Sequence, residues 1–153
     1  MDINYLEKIV KIYQERLKKL SELPELTDFF FKEKLEFDKN LLKWRNMTDK
    51  EVKQALDKLE KVLSKIKENL WNREYLEKVL LEEAENFVRE IGRVGELASG
   101  KTEPVKRIDR GYFLWPLRVA LSGKEASAGP FEIAEILGKE KTLKRIKEAK
   151  KKL

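Results

Sequence analysis

The sequence predicts an all-α protein, and three observations carry that reading. Apolar residues recur at alternating three- and four-residue intervals along most of the chain. Leu, Glu, Lys and Arg dominate, while β-branched runs are missing. Hydrophobic and charged residues each make up 41% of the 153 residues, the balance of helices with one buried stripe and one wetted face. A chain of this length can bury one continuous core or two small stacked ones.

Ile3, Leu6, Val10, Tyr13, Leu17 and Leu20 mark one face of a first helix. Pro24 ends it, since proline removes a donor and biases the preceding residue away from the helical region. Leu26 to Phe37 holds the cluster Phe29, Phe30, Phe31 and Phe37, a short helix or turn whose rings are mostly core. Thr48-Asp49-Lys50-Glu51 is a capping box. It opens a helix to about Lys67 with Val52, Leu56, Leu59, Leu63 and Ile66 inward. Asn72 caps the next helix, whose inner face is Leu76, Leu80, Ala84, Phe87 and Ile91, closed by Gly92 and Gly95. Leu97 to Asp109 turns polar and irregular; with Lys101, Lys106, Arg107 and Arg110 nearby it reads as a connector.

Trp115 to Leu121 is apolar apart from Arg118, and Gly123 breaks it. Ser127-Ala128-Gly129-Pro130 opens a short helix over Phe131–Leu137, with Ser127 the expected N-cap and Gly138 the stop. Leu143, Ile146 and Ala149 line the buried side of a last helix, and Lys150–Lys152 reads as a frayed end. A division near Asn69–Asn72 gives two helical halves, residues 1–70 and 71–153.

The composition removes much chemistry. There is no cysteine and no histidine, so disulfides, thiolate metal sites and imidazole acid–base schemes are out, and a cytosolic setting is compatible. Ser64, Ser99, Ser122 and Ser127 have no histidine to activate them. Glu82, Glu83 and Glu85 read as solvated, and Gly92-Arg93-Val94-Gly95 follows a helix and lacks the ending of a phosphate-binding loop. No carboxylate spacing matches a calcium loop. No stretch approaches the ~18 apolar residues of a membrane span. Net charge is +6, and from Lys139 to Leu153 there are eight basic residues and two acidic ones. Basic side chains there suit both the negative end of a helix dipole and a nucleic-acid partner. Catalysis is not expected of this chain.

One constellation is more specific. Pro116-Leu117-Arg118-Val119-Ala120-Leu121-Ser122-Gly123 is followed by Ser127-Ala128-Gly129-Pro130-Phe131-Glu132-Ile133, then Leu137-Gly138-Lys139-Glu140 and Leu143-Lys144-Arg145-Ile146. In order, spacing and endpoint these resemble the C-terminal signature of bacterial-type glutamyl-tRNA synthetases: PLRVALTG, then S/T-P-G-x-F-E, then LGKE with LKRI. Gln14-Glu15-Arg16-Leu17-Lys18-Lys19-Leu20-Ser21-Glu22-Leu23, with the phenylalanines after it, is similar to that family's QERxKTLxEL and its aromatic cluster. The likeness is tight over about Trp115–Ala149, looser elsewhere and weakest over Glu96–Arg110.

The resemblance implies two stacked helical subdomains, an α-helical cage that reads the anticodon of tRNA(Glu). It places at the anticodon Arg16, which in the family reads the third base, together with Arg118, Ser127, Ala128, Gly129, Pro130 and Phe131. Lys124, Lys139, Lys141 and Arg145 are candidate phosphate contacts. Splayed anticodon bases are read by stacking and by hydrogen bonds to their edges, which suits an aromatic ring, a guanidinium and a helix N-terminus. This chain departs from the family at Ala128, usually proline, and at Pro130, usually apolar. The parent reaction is ATP-dependent glutamylation of tRNA by a Rossmann-type catalytic domain with HIGH-like and KMSKS-like motifs, which also takes ATP and Mg2+. Neither motif is present here, so the chain is expected to be a non-catalytic, monomeric fragment of a cytoplasmic ligase. Two rival readings are a free-standing tRNA-binding adaptor descended from the same domain, and a helical protein–protein scaffold whose charges are plain surface. Gene length separates the first; tRNA preference and salt response separate the second.

Overall fold

A computed structural model describes residues 3–14, 23–94 and 108–153. Among these are seven α-helices and no strand: α1 (Ile3–Tyr13), α2 (Leu23–Thr27), α3 (Asp49–Ser64), α4 (Arg73–Glu90), α5 (Gly111–Ser122), α6 (Pro130–Leu137) and α7 (Lys139–Lys150). Single 3-10 turns lie at Asp28–Phe30, Lys39–Leu42 and Glu68–Leu70.

The centre is α5. Eight of its twelve residues are buried, and they fall on every side of the helix. A helix apolar all round belongs inside, and α5 packs against α3, α4, α6 and α7. One hydrophobic cluster runs from Ile9 to Ala149. It crosses the division near residue 70, because α3 from the first half packs on α5 and α7 from the second. The core is therefore continuous across that division.

Local chemistry sets the helix ends. The Thr48 hydroxyl accepts from the Glu51 amide while the Glu51 carboxylate accepts from the Thr48 amide, both halves of the capping box. The Asn72 side chain accepts from the Tyr75 amide at 2.9 Å. Gly123, with φ +68°, closes α5 in the left-handed region. Pro24 sits in the first turn of α2, where its missing amide costs nothing.

The first helix turns differently from its leading stripe. Ile9 and Tyr13 are buried, with Tyr5 and Ile12 packed beside them, whereas Ile3 is 70% exposed and Leu6 39%. Apolar residues lie almost all round this segment, so two stripes satisfy helical spacing; the aromatic cluster chooses between them. Tyr5 meets Phe30 and Phe31 edge-on, Tyr13 meets Phe30 edge-on, and the Tyr5 hydroxyl donates to the Phe30 carbonyl. Phe29 and Phe30 are buried, while Phe31 is exposed.

The C-terminal lysines are engaged rather than frayed. Lys150 Nζ lies 2.6 Å from Asp57 and 2.9 Å from Glu60 on α3, and Lys152 Nζ sits over the Phe37 ring. Charge pairs thus fasten α7 along the helix it packs against.

Candidate nucleic-acid interface

The loop between α5 and α6 is built from beneath. Arg118, on the last turn and a half of α5, donates from Nε to the Ser127 hydroxyl at 2.9 Å and from Nη2 to the Ser127 carbonyl. Its guanidinium lies 6.0 Å from the centre of the Trp115 ring, one turn back. The Ser127 hydroxyl donates to the Ala128 carbonyl, and the Ala128 amide donates to the Tyr13 hydroxyl at 3.3 Å. The loop is therefore clasped from α5 and from the end of α1.

That arrangement corrects two expectations. Ser127 is not the N-cap of α6: Gly129 holds that position without a side-chain bond, and Pro130 is the first helical residue. Ser127 spends its hydroxyl on Arg118 and Ala128 instead. Ser127 and Ala128 are also buried, so their side chains face the protein and not a base. Glu125 and Ala126 are the exposed residues of the loop, and Gly129, Pro130 and Phe131, where it runs into α6, are each half-buried. Behind them stand the Phe131 and Glu132 amides, which have no carbonyl of their own helix within reach. Arg118 reads as the clasp that shapes this ledge. Arg16 lies outside the described residues, as do Lys101, Lys106 and Arg107. Tyr13, three residues before Arg16 in sequence, touches the loop.

The candidate phosphate contacts fare differently from one another. Lys124 Nζ donates to the Glu25 carbonyl at 2.7 Å and pairs with Asp28 at 3.0 Å, tying the loop to α2. Lys139 Nζ donates to the Ile66 carbonyl at 2.7 Å. Lys141 Nζ donates to the Phe30 carbonyl at 2.8 Å, and burial, then the neighbouring Arg145, hold its ammonium below the usual lysine range. Each of these ammonium groups still has donors to offer. Arg145 is placed differently: only 2% exposed, it donates to the carbonyls of Leu121, Phe29 and Lys32, and its remaining Nε–H is buried as well. The Leu121 carbonyl is in the last turn of α5 and has no partner within its helix. Arg145 caps that end from α7, and its burial removes it from any phosphate.

Sequence reasoning missed Tyr13, Trp115 and the capping role of Arg145. A phenol on a buried helix face must find a partner, which was the available signal for Tyr13. Two of the carboxylates singled out in the sequence are engaged in ion pairs. Glu83 pairs with Lys58 and Glu85 with Arg110, and among the described residues no group of three acidic side chains converges to hold a metal. No described helix is long and apolar enough to cross a membrane.

A half-buried ring and the first amides of a helix offer a stacking face and hydrogen-bond donors side by side. The profile of the family described as an anticodon binding domain matches residues 1–97 and 101–150, and the chain belongs to that family. Its curated relatives are more particular. It is 34% identical over 146 residues to the glutamate–tRNA ligase of Clostridium acetobutylicum, covering 93% of this chain and 25% of that protein. It is 35% identical over 148 residues to the glutamate–tRNA ligase of Clostridium kluyveri, covering 95% and 26%. A crystal structure of a glutamate tRNA ligase from Elizabethkingia meningosepticum in complex with its amino acid superposes with a TM-score of 0.70 over 99% of this chain and 25% of that one; at 19% identity this likeness shows the fold. The chain spans about a quarter of the length of the curated relatives it matches.

Proposed function

We propose that this chain recognises the anticodon of tRNA(Glu) as the anticodon-binding part of a cytoplasmic glutamate–tRNA ligase, acting beside a catalytic part that supplies the ATP and Mg2+ chemistry. The observation that supports this best is the ledge Gly129–Pro130–Phe131, held by Arg118 and Tyr13 at the start of α6. A half-exposed ring and two free amides at a helix N-terminus offer a stacking face and donors for a base edge. Arg118 contributes by fixing the ledge, and Arg16 is assigned the third anticodon base.

The test is a titration of anticodon stem-loops that differ in single anticodon bases against the intact chain. Phe131→Ala removes a stacking face and is expected to weaken binding by about 1–3 kcal/mol. Arg16→Gln is expected to reduce discrimination between glutamate and glutamine anticodons by about 1–3 kcal/mol. Equal binding of all stem-loops by the parent chain refutes the reading. Unchanged discrimination in Arg16→Gln refutes the role given to that residue.

A further inference from the structure

Between α1 and α6 runs a groove of about 440 Å³, lined by Lys8, Lys11 and Ile12 on one side, Glu132, Glu135 and Ile136 on the other, and Arg73 from the start of α4. Tyr13, the residue after Ile12, touches the loop through the Ala128 amide, and Glu132 follows Phe131 at the start of α6. Lys8 and Lys11 stand three residues apart and so share one face of α1. Both are exposed. Among the described residues neither is in an ion pair, a state they share with other surface lysines such as Lys53 and Lys61 on α3.

Carboxylates are present in the same groove and are used elsewhere. Glu132 pairs with the Arg73 guanidinium at 3.9 Å, and Glu135 accepts from the Arg73 backbone amide. Glu132 is thus drawn towards the Arg73 guanidinium and Glu135 towards its backbone, while Lys8 and Lys11 on the α1 wall keep their ammonium groups exposed. This pair begins two residues from Tyr13 and extends three further, a rise of about 7.5 Å along the helix from the point where the loop is clasped.

We infer that this wall of α1 carries the sugar–phosphate backbone of the RNA strand next to the bases seated at the loop, with Lys8 and Lys11 each meeting a phosphate. The inference rests on the RNA-binding reading above and adds to it a track and a direction. Flexible point charges suit this task, since phosphate contacts position a strand without reading its sequence. The engaged carboxylates of the facing wall repel the strand and keep it on the α1 side.

The experiment measures binding of a synthetic tRNA(Glu) anticodon stem-loop to the intact chain at 50 and 200 mM salt. The double variant Lys8→Gln/Lys11→Gln is compared with the charge-matched Lys53→Gln/Lys61→Gln on α3, and circular dichroism verifies that both are folded. Each single-strand phosphate contact contributes a slope of about 0.7 in log affinity against log salt, so losing two flattens it by about 1.4. Over a fourfold change in salt the advantage of the parent over the groove variant then shrinks by about sevenfold. The α3 variant keeps the parent slope. Equal flattening by both pairs, or an unchanged slope in the groove variant while Phe131→Ala still weakens binding, overturns the track and leaves the loop reading intact. Absence of any binding by the parent overturns both.

Discussion

Replacing Arg145 with methionine tests whether its guanidinium belongs to the fold or to the RNA. Methionine keeps most of the side-chain volume and removes every donor, so three carbonyls, of Leu121, Phe29 and Lys32, lose a partner at once. An unsatisfied buried acceptor costs about 1–3 kcal/mol, giving about 2–6 kcal/mol for the Leu121 and Phe29 carbonyls, with less at the part-buried Lys32 carbonyl. Methionine no longer has to bury a charge, which returns part of that and brings the net to about 3–5 kcal/mol. A domain of this size typically has about 5–15 kcal/mol to lose. At about 2–4 °C per kcal/mol, the melting midpoint falls by about 6–20 °C in a thermal scan followed by circular dichroism. Arg145→Lys restores a charge but not the three-way fork, and recovers only part of the loss. A variant that melts within about 4 °C of the parent, yet binds RNA with a shallower salt dependence, would show that Arg145 faces the phosphates and that the capping argument is wrong.

Two further expectations are independent of RNA. The Arg93 guanidinium grips both carboxylate oxygens of Glu51, at 2.7 and 2.8 Å, and holds its pKa at about 2 instead of the ordinary 4.5. A lowered folded-state pKa stabilises the protein above pH 4.5, and that contribution drains away as pH falls from there towards about 2; acid unfolding of Glu51→Gln should be the flatter of the two curves, and parallel curves count against the grip. Gly111→Ala sets a Cβ 2.3 Å from the Trp44 indole, forcing the ring away from Asp109, to which its N–H donates at 3.1 Å. Tryptophan emission should shift and stability drop by about 1–3 kcal/mol, whereas an unmoved spectrum would mean that the ring is not held there.

Much of the helical order was legible in the chain because it is decided within a few residues. The Thr48–Glu51 box, the Asn72 cap and the glycine stops at Gly123 and Gly138 close hydrogen bonds or backbone angles between near neighbours, so local sequence is enough to read them. The run Pro116–Phe131, through its resemblance to a known family, drew attention to the loop that Arg118 and Tyr13 clasp.

What the local pattern left open was which residue serves which distant partner. Segment 3–13 has apolar residues on nearly every side, so its spacing fits two faces, and only the rings of Phe30 and Phe31 select the one with Tyr5, Ile9 and Tyr13. Ser127 looks like a helix cap until Arg118, nine residues earlier, claims its hydroxyl. Arg145 looks like one more cation in a basic helix until packing brings it to the unpaired carbonyl at the end of α5. Sequence fixes the donors and acceptors each residue carries; their partners are settled when folding excludes water and leaves particular groups within reach of one another.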